Sequence, residues 1–209
     1  MSASTSSSRT STWVAIALGV VLLGLVAAFA IGLPKASSAS DQQAVDLTLP
    51  DKLPGGYAAA DDAASFKGGQ LAQQADAIAK QQAASTAYGN KVLPDVLGTA
   101  ATTRSYVVDG TKAVFVQAFQ SAGGAFAPTT LVDPKTSGSG GTTMQKVGDG
   151  ACILTYAPAQ GGAQPSSAPA DRQCQVSGDR VPVQVQSSEV PAADLVKVAD
   201  SLLADLQDQ

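Results

Sequence analysis

The chain has 209 residues, enough for one domain with accessory segments. Its formal net charge is −4, from 17 acidic residues against 13 Lys and Arg, and it has no histidine. That excludes Ser-His-Asp and Cys-His catalysis, an HExxH zinc site and an imidazole proton shuttle, and it sets nucleic acid and anionic headgroups at a disadvantage as partners.

Residues 1–12 are a polar Ser/Thr-rich tail with one cation, Arg9. Residues 13–33, "WVAIALGVVLLGLVAAFAIGL", carry no charge over 21 positions. As a helix this run spans about 30 Å, the thickness of the hydrocarbon layer of a bilayer. Trp13 stands at its edge, where an indole favours the interface. The expectation is a single membrane-spanning anchor with the short tail in the cytoplasm and the rest exported. A cleaved signal peptide is the rival, with "AFA" at Ala28–Ala30 and "SSA" at Ser37–Ala39 as cleavage sites, but the apolar run exceeds the usual span of about 7–15 residues. No cysteine follows the segment, so a lipoprotein anchor is excluded. Gly24, Ala28 and Gly32 share one helix face, although small residues are common in any span of this composition.

Residues 34–56 read as an extended tether and entry segment, with prolines and paired glycines in "LPDKLPGGYAAADD" marking a turn. An exported domain is expected over residues 57–209. Residues 70–88 are strong helix formers without Gly or Pro, so a helix is expected there, ending near Gly89–Asn90.

From residue 104 the apolar period shortens to two. Three hairpins are expected, turning at Asp109-Gly110, Gly148–Gly150 and Ser177–Asp179, and hence about six strands. In the last strand Val181, Val183 and Val185 alternate with Pro182, Gln184 and Gln186, which predicts one buried and one wet face. Pro182 cannot donate to a ladder, which places that strand at an edge. Leu195, Val198, Ala199, Leu202 and Leu206 form a helical stripe that would cover the sheet, with Pro191 at the first turn. The fold class expected is α+β: a two-layer domain of antiparallel hairpins packed with two helices. Two low-complexity stretches, "DPKTSGSGGTT" and "APAQGGAQPSSAPAD", read as surface loops.

The only cysteines are Cys152 and Cys174. Their spacing matches no CxxC motif, and two thiolates without histidine do not complete a typical zinc site. Cys152 shares a strand face with Leu154 and Tyr156, and Cys174 shares one with Val176. If the two strands pair with Cys152 opposite Cys174, residue 156 meets residue 170 and the Pro/Gly/Ser loop closes between them. A disulfide is expected there, worth about 3 kcal/mol for a loop of roughly 22 residues, and an exported chain meets the oxidising compartment it needs.

No catalytic, cofactor or metal site is expected. The serines lack a base, and neither GxSxG nor SxxK is present. Asp61-Asp62 reads as a solvated turn, and Asp109, Asp149 and Asp179 belong to hairpin turns. No phosphate loop or EF-hand pattern occurs. Tyr57, Tyr88, Tyr106 and Tyr156 are half-buried or core candidates.

At "LPDKLPGGYAAAD", "LPDVLGTAATTRSYVVDG" and "GGAFAP" the chain resembles uncharacterised membrane-anchored exported proteins of actinobacteria. The resemblance implies a cell-envelope location and brings no catalytic residue. The expected function is a single-pass, membrane-anchored extracytoplasmic accessory or interaction protein without catalytic activity and without a cofactor. Its expected contacts are the membrane through residues 13–33 and a protein partner in the envelope, not nucleic acid. The alternative is an exported module that binds a small molecule or lipid, which would show as an apolar pocket near Phe115, Phe119 and Tyr156.

Overall fold

The computed structural model describes residues 45, 47–67, 70–121, 126–133, 140–158 and 168–207. The anchor segment 13–33, the tether up to residue 44 and most of both low-complexity stretches lie outside the described residues.

The domain is α+β. Eight strands form one antiparallel sheet in the order β1-β2-β3-β4-β8-β7-β6-β5. They are β1 (Lys52–Leu53), β2 (Tyr57–Ala59), β3 (Ala101–Val108), β4 (Lys112–Phe119), β5 (Gly141–Val147), β6 (Gly150–Tyr156), β7 (Asp171–Ser177) and β8 (Pro182–Ser187). The three expected hairpins are β3–β4, β5–β6 and β7–β8. At the first turn Asp109 and Gly110 take left-handed φ values of 56° and 66°, which is why that turn carries Asp-Gly. A fourth, short hairpin, β1–β2, extends the expected six strands to eight. Gly55 and Gly56, both at φ 85°, turn it.

Helix α1 (Ala75–Leu97) and helix α2 (Ala192–Gln207) lie on opposite faces of the sheet. The alternation along β3 shows this directly. Tyr106 belongs to the main core with Leu195 and Leu202, whereas Val107 packs with Phe66 and Ala75. The sheet is therefore a middle layer where α1 crosses β3, which corrects the two-layer expectation. The reason is that β3 has apolar residues on both faces.

Helix α2 buries Leu195, Val198, Ala199, Leu202 and Leu206, the stripe expected from sequence, together with Val196 and Leu203. Its first turn opens on Pro191, whose carbonyl accepts the amides of Asp194 and Leu195. The stripe meets Val114, Val116, Val183, Val185, Cys174 and Cys152. Leu47, Leu49 and Leu53 join the same core, so the end of the entry segment is part of the packed structure.

Two expectations about secondary structure fail for local reasons. Helix α1 does not end at Gly89–Asn90 but runs on to Leu97. Gly89 is a packing glycine, since a Cβ there would stand 2.5 Å from Thr103 Cγ2. The helix ends instead at Gly98, at φ 66°, whose amide bonds the Pro94 carbonyl. Second, β8 is not an edge strand: it lies between β4 and β7. Pro182 is tolerated because it is the first residue of the strand, where β4 has no partner for it. Nor is its glutamine face wet. Gln186 is buried, donating to Asp171 Oδ2 at 2.9 Å, and Gln184 donates to Gln175 Oε1 at 2.8 Å. A central strand buries both faces, and each amide finds a partner for its nitrogen while the side-chain oxygens of Gln184 and Gln186 stay buried without one.

Candidate binding slot at the edge of the sheet

Cys152 and Cys174 form a disulfide between directly paired residues of β6 and β7. Both are fully buried, as their shared face with Leu154 and Val176 requires. The pairing follows the register in which Ala151 meets Gln175 and Thr155 meets Asp171. Arg172, the nearest cation by sequence, donates to the Ser188 carbonyl at 2.6 Å. A bond sealed in the core and paired across two strands is a staple.

The other singled-out residues do not converge. Asp109 pairs with Lys112 at 3.3 Å in its turn, and Asp149 and Asp179 sit in separate turns. Among the described residues, no group of three acidic or thiol side chains is placed to hold a metal. Phe115 and Phe119 lie on the sheet face opposite Tyr156, because the β4 residues that share the face of Tyr156 are the even-numbered ones. No apolar pocket gathers these three rings. Tyr57 and Tyr106 are core residues, Tyr156 packs against the core, and Tyr88 is 62% exposed on α1.

What the sequence did not signal is a cluster around Arg104. Asp61 continues the line of β2 past its last strand residue and stands across from Arg104. Arg104 Nη2 and Nε meet its carboxylate at 2.9 and 3.1 Å, a bidentate fork. Arg104 Nη1 reaches the carbonyls of Leu49 and Pro50, each at 3.2 Å, and Asp51 at 2.9 Å. The Tyr106 hydroxyl donates to Pro50 at 2.8 Å. Burial pushes the Tyr106 phenol well above its ordinary range, with the Arg104 charge only partly opposing this. Burial also disfavours the charge on Arg104, but its bonds to Asp61 and Asp51 outweigh that and hold the guanidinium ionised. Asp62 turns away and caps the next turn by accepting the Ala64 amide at 2.9 Å. Asp61-Asp62 does lie in a turn, with Asp62 exposed as a cap, but Asp61 is drawn out of solvent as the partner of Arg104.

Beside this cluster is a slot of about 460 Å³ lined by Leu47, Leu49, Asn90, Pro94 and the stretch Ala100–Arg104. It exists because β2 is short. β2 pairs with β3 only at Tyr106 and Val107, and the track ends where Ala60 donates to the Ser105 carbonyl at 2.9 Å. Beyond that point, among the described residues, the outer edge of β3 has no strand beside it. Leu47–Leu49 wall the slot on one side and the last turns of α1 on the other. Asn90 reaches across, its Oδ1 accepting the Thr103 amide at 2.7 Å. Among the described lining residues Arg104 is the one charged group, and it is paired with two carboxylates, Asp61 and Asp51. Among the described residues the slot therefore offers main-chain hydrogen-bonding groups beside largely uncharged side chains.

Comparison with family models, with curated proteins and with solved structures finds no match.

Proposed function

We propose that this is a non-catalytic accessory or interaction protein of the cell envelope. In this reading residues 13–33 hold the α+β domain on the outer side of the membrane, and the domain engages a protein partner. The observation that carries the interaction reading is the slot at the edge of β3, where main-chain hydrogen-bonding groups lie beside an arginine already engaged by two carboxylates. The Cys152–Cys174 disulfide supports an oxidising compartment. The small-molecule or lipid alternative depended on rings that lie on opposite faces, so it has no comparable support.

The test is a photo-crosslinker at Lys91, exposed on α1 beside Asn90, in the full-length protein in its native membrane. A discrete protein adduct is expected there and not from Asp205 on α2. Absence of any adduct at Lys91 above that control contradicts the interaction reading.

A further inference from the structure

We propose that the slot takes an extended, uncharged peptide segment of the partner, which adds to the sheet as a strand in the track that β2 leaves at Ala60. This rests on the interaction reading and names the chemistry of what is bound.

The geometry comes from the ladder. Ala60 donates to Ser105 at 2.9 Å on the outer side of β3. Main-chain groups alternate along a strand, so Thr103 and Ala101 also turn theirs outward. No strand pairs with them there, since β2 stops at the partner of Tyr106. From Ala101 to Arg104 the open edge measures about 10 Å, the span of a short extended peptide. Small side chains at Ala100, Ala101, Thr102 and Thr103 leave this backbone accessible from the slot.

Asn90 indicates the kind of ligand. Its side-chain amide oxygen occupies the place of an incoming strand carbonyl, 2.7 Å from the Thr103 amide. An amide already satisfies the first donor of this edge, so a peptide amide is the natural replacement. Charge points the same way. Arg104 is held by two carboxylates, Asp61 and Asp51, and the other described lining residues are uncharged, so among the described residues no lining group is free to compensate a charged ligand. Addition of a strand to an open edge draws affinity from main-chain bonds and selectivity from alternate side-chain positions.

The experiment uses the full chain in detergent and a fully randomised hexapeptide library, charged and uncharged sequences alike, acetylated and amidated at their ends. Selected peptides are expected to lose tenfold or more in affinity when alternate amides are N-methylated. Ala101→Pro, which removes one outward N–H at a position where proline is tolerated, is expected to weaken them about tenfold. Asn90→Ala frees the Thr103 amide and is expected to tighten them about three- to tenfold. The proposal is overturned if no library member binds, if the selected peptides survive both N-methylation and Ala101→Pro, or if selection yields only charged sequences. Should Ala101→Pro fail to fold, the N-methyl series decides alone. An adduct at Lys91 without peptide binding sinks strand addition and leaves the interaction reading standing; loss of both removes both.

Discussion

The side chain of Asp61 is 17% exposed and gives both oxygens to Arg104. Removing the guanidinium leaves that carboxylate largely desolvated and the Leu49 carbonyl without its Arg104 donor, while the Pro50 carbonyl keeps the Tyr106 hydroxyl. Arg104→Ala is therefore expected to cost about 2 kcal/mol in urea unfolding, after allowance for residual solvent around the pair. Arg104→Lys should recover less than half, because an ammonium cannot span a carboxylate and two carbonyls at once. An unchanged midpoint for Arg104→Ala would show that the cluster does not hold the entry segment. Asp171 behaves differently. Burial raises its carboxyl above the ordinary value of 3.8, opposed in part by the hydrogen bond from Gln186. Between 3.8 and that raised value the native state holds more protons than the unfolded chain, so stability falls as pH rises through the window. Asp171→Asn should raise Tm at pH 7, with the gain shrinking as pH falls through that window and gone below 3.8, where the carboxyl is protonated in both states. A lower Tm for the variant at pH 7 would reverse the sign and contradict the burial argument.

At the scale of elements, α1 touches the sheet through a narrow row in which Gly89 meets Thr103. Gly89→Ala gains about 1 kcal/mol in helix propensity, yet its Cβ would sit 2.5 Å from Thr103 Cγ2. Thr103 cannot simply rotate away, because its hydroxyl donates to the Val116 carbonyl at 3.0 Å. The clash should win, leaving a net loss of about 1–2 kcal/mol by thermal unfolding. Thr103→Ser in the same chain removes Cγ2 and should restore stability; failure of that rescue would put the cause elsewhere. Gly89 and Asn90 also mark where sequence reading ran short. Both types end helices, but here one lets the helix approach β3 and the other caps an open edge, roles set by a strand distant in sequence. The hairpins were legible because a period of two meets Asp-Gly or Gly-Asp at each turn. β1 and β2, with two and three residues, are too short to show any period. Pro182 misled because its permitted place at the start of a strand cannot be told from an edge position without the neighbours.

For the whole molecule, the disulfide ties β6 to β7 while α2 spreads across β7 and β8 on the same face. The parity of Cys152 and Cys174 with Leu154 and Val176 was enough to predict both the pairing and its register. The Arg104 cluster and the slot were not legible, since Asp61, Arg104, Leu49 and Asn90 are brought together only by the end of a short strand. Cys152→Ala with Cys174→Ala should lower stability by about 3 kcal/mol in denaturant unfolding, the worth of closing a loop of this length. The proposed reading ties the staple to an exported, anchored interaction domain, so the redox state of these two sulfurs in the living cell is its most direct measurement. The full-length protein is alkylated in intact cells and denatured without reductant, and Cys152 and Cys174 are then read by mass. The prediction is that neither is modified until a reductant is added, and that a peptide linking the two is recovered. Alkylation of both cysteines without reductant would contradict a domain that folds and works outside the cytoplasm.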